Sequence, residues 1–122
     1  MTTLPKDILS CLFAAANSYA KCSMGKPDQR ACVIYSTKRK TIVSMGYQVD
    51  LLSPEYGAYT KLRWLDRGNL YAVCSHVPSA HGAEYLIQMK VKEVYYMERT
   101  DSEVGLLKLK LKNIPATRLL YG

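Results

Sequence analysis

No apolar run in this chain approaches the roughly 20 residues needed to cross a bilayer, and the N-terminus lacks the basic start and small-residue cleavage site of a secretory signal. We therefore expect a soluble, cytoplasmic protein with no membrane partner. The four cysteines, Cys11, Cys22, Cys32 and Cys74, form no Cys-x-x-Cys pair. A disulfide framework is not expected in a reducing compartment, and they read as small buried apolar residues. Gly-rich phosphate loops, a Ser-His-Asp ordering, internal repeats, low-complexity segments and interdomain linkers are all missing. Acidic residues are scarce, 10 against 17 Lys and Arg, leaving a formal charge of +7. Such an excess attracts polyanions where the cations cluster on one face.

What is present is the raw material of a folded domain. The 122 residues are 48% apolar, enough for one core without staples, and residues 1–122 read as a single domain. Ile8, Leu12, Ala15 and Tyr19 recur at helical spacing between Pro5 and Gly25, predicting an amphipathic helix over residues 6–21. Two β-rich runs follow, Ala31-Cys32-Val33-Ile34-Tyr35 and Thr41-Ile42-Val43-Ser44-Met45, joined by a basic turn as a hairpin. After Gly46-Tyr47 come a loop with Ser53-Pro54 and a helix over 58–67, ended by Gly68-Asn69. A strand at 70–75, a helix following Pro78 and a strand at 93–97 make a βαβ unit, which implies parallel pairing. Leu107, Leu109 and Leu111 alternating with Lys108, Lys110 and Lys112 fit an edge strand, while Val104, Leu107 and Leu111 fit a helix face; the helix is preferred, with Asp101 or Ser102 as N-cap and Asn113-Ile114-Pro115 as its stop. A strand at 117–121 completes the order αββαβαβαβ. That order predicts a three-layer α/β/α fold with a mixed five-stranded sheet.

The turn Pro78-Ser79-Ala80-His81-Gly82-Ala83, set between a strand and a helix, resembles the Pro-Cys-x-x-Cys-Ala turn of zinc-dependent cytidine and deoxycytidylate deaminases. Ser18-Tyr19-Ala20-Lys21-Cys22 leading into Gln29-Arg30-Ala31-Cys32-Val33-Ile34, the Gly46-Tyr47 corner, and Lys92-Glu93-Val94-Tyr95-Tyr96 are similar to further stretches of that family in the same order. The resemblance covers nearly the whole chain and implies the cytidine deaminase fold. It also implies a metal site at which the expected side chains are gone.

The family's two cysteines fall on Ser79 and Gly82. A neutral hydroxyl is a poor zinc ligand, and glycine offers no side chain. A working site of this kind also carries His-x-Glu at the helix start after the Gly-Tyr corner, where His or Cys holds zinc and Glu moves the proton. Here that stretch reads Pro54-Glu55-Tyr56-Gly57-Ala58, with Glu55 falling near the ligand position, and the corner asparagine that contacts the substrate sugar is Gln48. Loss of every ligand removes the binding energy that would hold the ion. The resemblance therefore implies a deaminase fold with no catalytic residues, no metal and no cofactor.

Several residues carry two readings. Cys74, His76 and His81 can be set as a substitute metal trio or left as a buried thiol and surface histidines; we prefer the latter. Tyr56, Tyr59 and Trp64 can stack a base, or the tyrosines can fill the void left by metal and substrate. Filling is the preferred reading, and it predicts a closed pocket. The cations fall into Lys38-Arg39-Lys40 at the hairpin turn, Lys61, Arg63 and Arg67 on a helix beside the pocket, and Lys108, Lys110 and Lys112. The first two groups are candidate polyanion contacts.

Together these observations lead us to expect a catalytically inactive binding module for nucleic acid or a protein partner. The alternatives are a nucleotide-modifying enzyme with unorthodox metal ligands and a regulatory subunit of an active deaminase. Because deaminases of this family assemble through helices flanking the active site, the resemblance also implies a homo-oligomer. The ten tyrosines suit an interface or a core equally.

Overall fold

Strand periodicity decides which helix packs where. In this computed structural model, which describes residues 4–21, 29–49, 51–98 and 103–119, successive residues of the inner strands point to opposite sheet faces. Val33, Tyr35, Tyr71, Val73 and Tyr95 bury one face under α1 (Lys6–Ala20). Cys32, Ile34, Ala72, Cys74, Val94 and Tyr96 bury the other against Ala58, Leu86 and Leu109. These three belong to α2 (Pro54–Lys61), α3 (Ala80–Met89) and α4 (Val104–Leu111). Helices thus cover both faces, and the architecture is the three-layer one expected.

The strands are β1 (Ala31–Ser36), β2 (Thr41–Tyr47), β3 (Leu70–His76), β4 (Glu93–Glu98) and β5 (Ala116–Arg118). They lie in the order β2-β1-β3-β4-β5. β1 runs antiparallel to both β2 and β3, while β3, β4 and β5 are parallel. The sheet is therefore mixed, with the hairpin and βαβ unit where the sequence put them. Among the described residues no helix is long and apolar enough to cross a membrane.

Local differences have local causes. On α1 the buried stripe is Leu9, Leu12, Phe13, Ala16 and Ala20. Ile8, Ala15 and Tyr19 of the expected stripe lie on its half-buried flank. Cys11, read as a core residue, is exposed on this helix, and Cys22 lies outside the described residues.

The expected helix over 58–67 is displaced toward the N-terminus. Ser53 accepts a hydrogen bond from the Tyr56 amide (3.2 Å) and Pro54 occupies the first turn, so the Ser-Pro pair read as loop is a helix start. At Leu62 the backbone becomes extended and the side chain is buried. Residues beyond it form a short 3-10 turn, Trp64–Asp66. The proposed caps Asp101 and Ser102 fall outside the described residues, as does the end of the expected last strand.

Candidate functional site

Two helix N-termini meet at one end of the sheet. Ser53 caps α2, and Ser79 caps α3 by accepting from the Gly82 amide at 3.0 Å. Between them and the strand ends is a pocket of about 250 Å³, whose polar lining is Arg30, Gln48, Ser53, Glu55, His76 and Ser79.

Glu55 sits in the first turn of α2 and is only 3% exposed. Its carboxyl occupies the space beside Gly82: a Cβ on that glycine would collide with Oε1 and stand 2.8 Å from the carboxyl carbon. Glycine at position 82 is what lets the carboxyl enter. Beneath it, Cys32 and Cys74 are direct partners across the β1/β3 ladder, with their sulfurs 3.6 Å apart. One donor atom from each of Cys32, Glu55 and Cys74 lies within 4.8 Å of the others, and all three residues are buried.

Burial pushes the Glu55 carboxyl up to about 7, against the opposing effects of its own backbone amide, the Cys74 thiol and the positive charge of Arg30. The Cys74 thiol is raised well above its ordinary value by its hydrogen bond to Cys32, by burial and by the nearby Glu55 charge. For Cys32 the hydrogen bond with Cys74 pulls downward, but burial and Glu55 leave the thiol raised overall. Near neutral pH the cluster is therefore two neutral thiols and a carboxyl poised between its two forms.

The zinc of the resembling family does not fit the helix-start positions. The Ser53 and Ser79 hydroxyls already accept the amides of the helices they cap, and Glu55 fills the room beside Gly82. The helix start falls at Ser53-Pro54, as cap and first residue, so Glu55 lies in the first turn of α2.

Of the residues singled out in the sequence, Gln48, Glu55 and Ser79 line the pocket. Gly82 backs it, and Pro78 is buried at the turn before α3. Gly57 instead packs on the backbone of β2, with a Cβ there 3.3 Å from the Gly46 Cα. Tyr56 and Tyr59 are not plugs: both pack on Tyr85, at ring distances of 4.9 and 5.1 Å, away from the pocket lining. His81 joins that aromatic cluster at 5.0 Å from Tyr85, with Nδ1 2.9 Å from the Ser53 hydroxyl.

The trio Cys74, His76 and His81 is not brought together. Cys74 faces inward to Cys32, His76 lines the pocket with Nδ1 2.9 Å from the Ser75 hydroxyl, and His81 faces the tyrosines. Arg30, Cys32 and Ser53 were missed as site residues. Only the Ser-Pro helix-start signal could have revealed one of them.

The cations also regroup. Asp66 binds Arg39 Nε at 2.7 Å and Arg63 Nε at 3.0 Å, joining the hairpin turn to the 3-10 turn. Arg67 lies over the rings of Tyr59 and Trp64, 5.7 and 5.6 Å from their centroids. Arg63 and Arg67 thus sit beyond the end of α2 and are not among the pocket's lining residues. Lys61 stays apart, donating to the Tyr19 hydroxyl at 3.0 Å, while Lys108 pairs with Glu84 at 2.9 Å.

No protein-family profile matches the chain, and no curated protein sequence does. Solved structures do. The dCMP deaminase from the cyanophage S-TIM5 in apo form superposes with a TM-score of 0.77 at 17% identity, over 95% of this chain and 100% of that one. Its complex with dCMP and dUMP gives 0.79 at 15% identity, over 95% and 99%. The diaminohydroxyphosphoribosylaminopyrimidine deaminase/reductase of Thermotoga maritima gives 0.79 at 17% identity, over 92% of this chain and 36% of that one. At these identities the likeness is one of architecture, and that architecture is the cytidine deaminase-like fold.

Proposed function

We propose that this chain is a catalytically silent protein of deaminase fold that acts by binding, with nucleic acid or a protein as its partner. One observation carries the reading: the Glu55 carboxyl fills the space beside Gly82 that a third ligand and its metal would need. Glu55 brings a carboxyl to the start of α2, but a carboxyl alone does not lower the pKa of water as a bound cation does. The pocket, about 250 Å³, is also below the roughly 300–1,000 Å³ of ordinary small-ligand sites. That favours a binding role on the surface.

Incubating the purified protein with dCMP, dCTP and cytidine tests this. No uracil product is expected, with or without added zinc. Turnover abolished by a chelator would sink the reading.

A second reading is favoured by the Cys32–Glu55–Cys74 cluster, which supplies two thiols and a carboxylate to a soft divalent ion. Neither cysteine lines the pocket, so an ion there has no open position toward a substrate and would be structural. Cobalt titration discriminates. A sulfur-to-cobalt absorption band lost in Cys32→Ser and Cys74→Ser supports this reading, and no band removes it.

A further inference from the structure

The chain's sole tryptophan stands 79% exposed on the 3-10 turn, beside Leu65 at 74%. Large aromatic side chains are highly buried on average, and an exposed apolar patch marks a contact surface. Cations flank it: Arg67 lies 5.6 Å from the Trp64 ring centroid, and Arg39 and Arg63 meet at Asp66. Residues 38–40 and 63–67 together carry five cationic side chains and one carboxylate, Asp66.

Three of the five, Arg39, Arg63 and Arg67, are held in place. Asp66 is 6% exposed and engages Arg39 and Arg63 each at Nε. A guanidinium has five N–H donors, so one carboxylate oxygen leaves most of each fork for another acceptor. The Arg67 guanidinium rests over the Trp64 and Tyr59 rings. The two turns are also sewn together through the backbone, with the Thr37 amide donating to the Asn69 carbonyl at 3.2 Å.

We propose that this surface binds single-stranded nucleic acid, with Trp64 stacking a base and Arg39, Arg63, Arg67, Lys38 and Lys40 meeting phosphates. The proposal rests on the binding reading above and names its partner. A positive groove with an aromatic platform is the arrangement that binds single strands, since every base has a π-face. A duplex keeps its bases stacked and offers Trp64 none. A protein partner would have to cover the exposed Lys38 and Lys40, a residue type depleted at protein interfaces.

Because Trp64 is the only tryptophan, its fluorescence reports this site alone. Titration with oligodeoxyuridylate or oligouridylate, which differ only in the sugar, should quench it saturably, and the tighter of the two identifies the preferred sugar. With the five phosphates these cations meet neutralised, log K should fall against log salt with a slope of about −3.5. Followed by anisotropy of a labelled strand, Trp64→Ala should weaken binding about 5- to 150-fold, the equivalent of losing one stacked base. Trp64→Phe should retain most of it. Arg63→Ala and Arg67→Ala should each weaken binding and shallow the salt slope by about 0.7.

The proposal is overturned by an unquenched Trp64, by unchanged affinity in folded Trp64→Ala, or by equal affinity for duplex DNA. Equal affinity for polyphosphate, which carries no bases, or salt-insensitive capture of a protein in its place would also overturn it. Failure here with no deaminase turnover removes this surface alone. Turnover with intact quenching removes only the catalytic silence.

Discussion

The Glu55→Gln protein should keep nearly constant stability from about pH 4 to about pH 8, apart from what it shares with the parent, whereas the parent should lose about 3 kcal/mol more over that interval. The sign follows from burial. Glu55 is raised from an ordinary 4.5 to about 7, so the folded protein holds this proton where the unfolded chain has released it. The contribution is fully present below the unfolded value and is lost as pH rises through the folded one. Asp66 and Glu84 run the opposite way: hydrogen bonds from Arg63 and Lys108 hold their carboxyls below the usual range, and their contribution is lost as pH falls. Subtracting the variant's denaturation curves from the parent's isolates Glu55, because glutamine keeps the shape and cannot titrate. Superimposable pH dependences would mean that the carboxyl does not lie buried between Gly82 and the two thiols.

Fold and site were legible in the sequence to different depths, and the difference is one of range. The β-rich runs of β1 and β2 and the helical spacing around Leu12 are local, as is the strand-helix-strand order after Gly68, so the layers, the element order and the parallel pair could be read directly. The start of α2 was equally local but was missed, because Ser53-Pro54 was weighed as loop chemistry and not as cap and first turn. That put the helix start four residues too late, at 58 in place of 54. Cys32 facing Cys74 depends on the register of two strands distant in the chain, which no pattern within either strand specifies. The clamp of Arg39 and Arg63 on Asp66 is likewise tertiary. It joins two basic groups, read separately as candidate polyanion contacts, beside the turn that carries Trp64.

Gly46→Ala should destabilise the protein by about 3 kcal/mol, the upper part of the range for overpacking, and the reason is the kind of atom its Cβ would meet. At Gly46 of β2 the new carbon would overlap the Pro54 carbonyl oxygen and the Ala58 amide nitrogen and lie 2.9 Å from the Gly57 carbonyl carbon. All three belong to the backbone of α2, which has no rotamer to relieve the clash. The Ser44 hydroxyl bond to the Ala58 carbonyl, 2.6 Å and buried, would stretch as the helix is pushed off the sheet. Ser53 and Glu55 ride on the same helix, so the pocket should loosen with it. Gly82→Ala provides the contrast, since its Cβ would meet the end of the Glu55 side chain, which can swing into the pocket. That variant should lose less stability than Gly46→Ala and most of the Glu55 pH dependence, because the expelled carboxyl regains solvent. Denaturant midpoints for the two alanine variants check the ordering. Gly46→Ala within about 0.5 kcal/mol of the parent, the scatter of an ordinary surface change, would mean that α2 does not cross β2 at backbone contact.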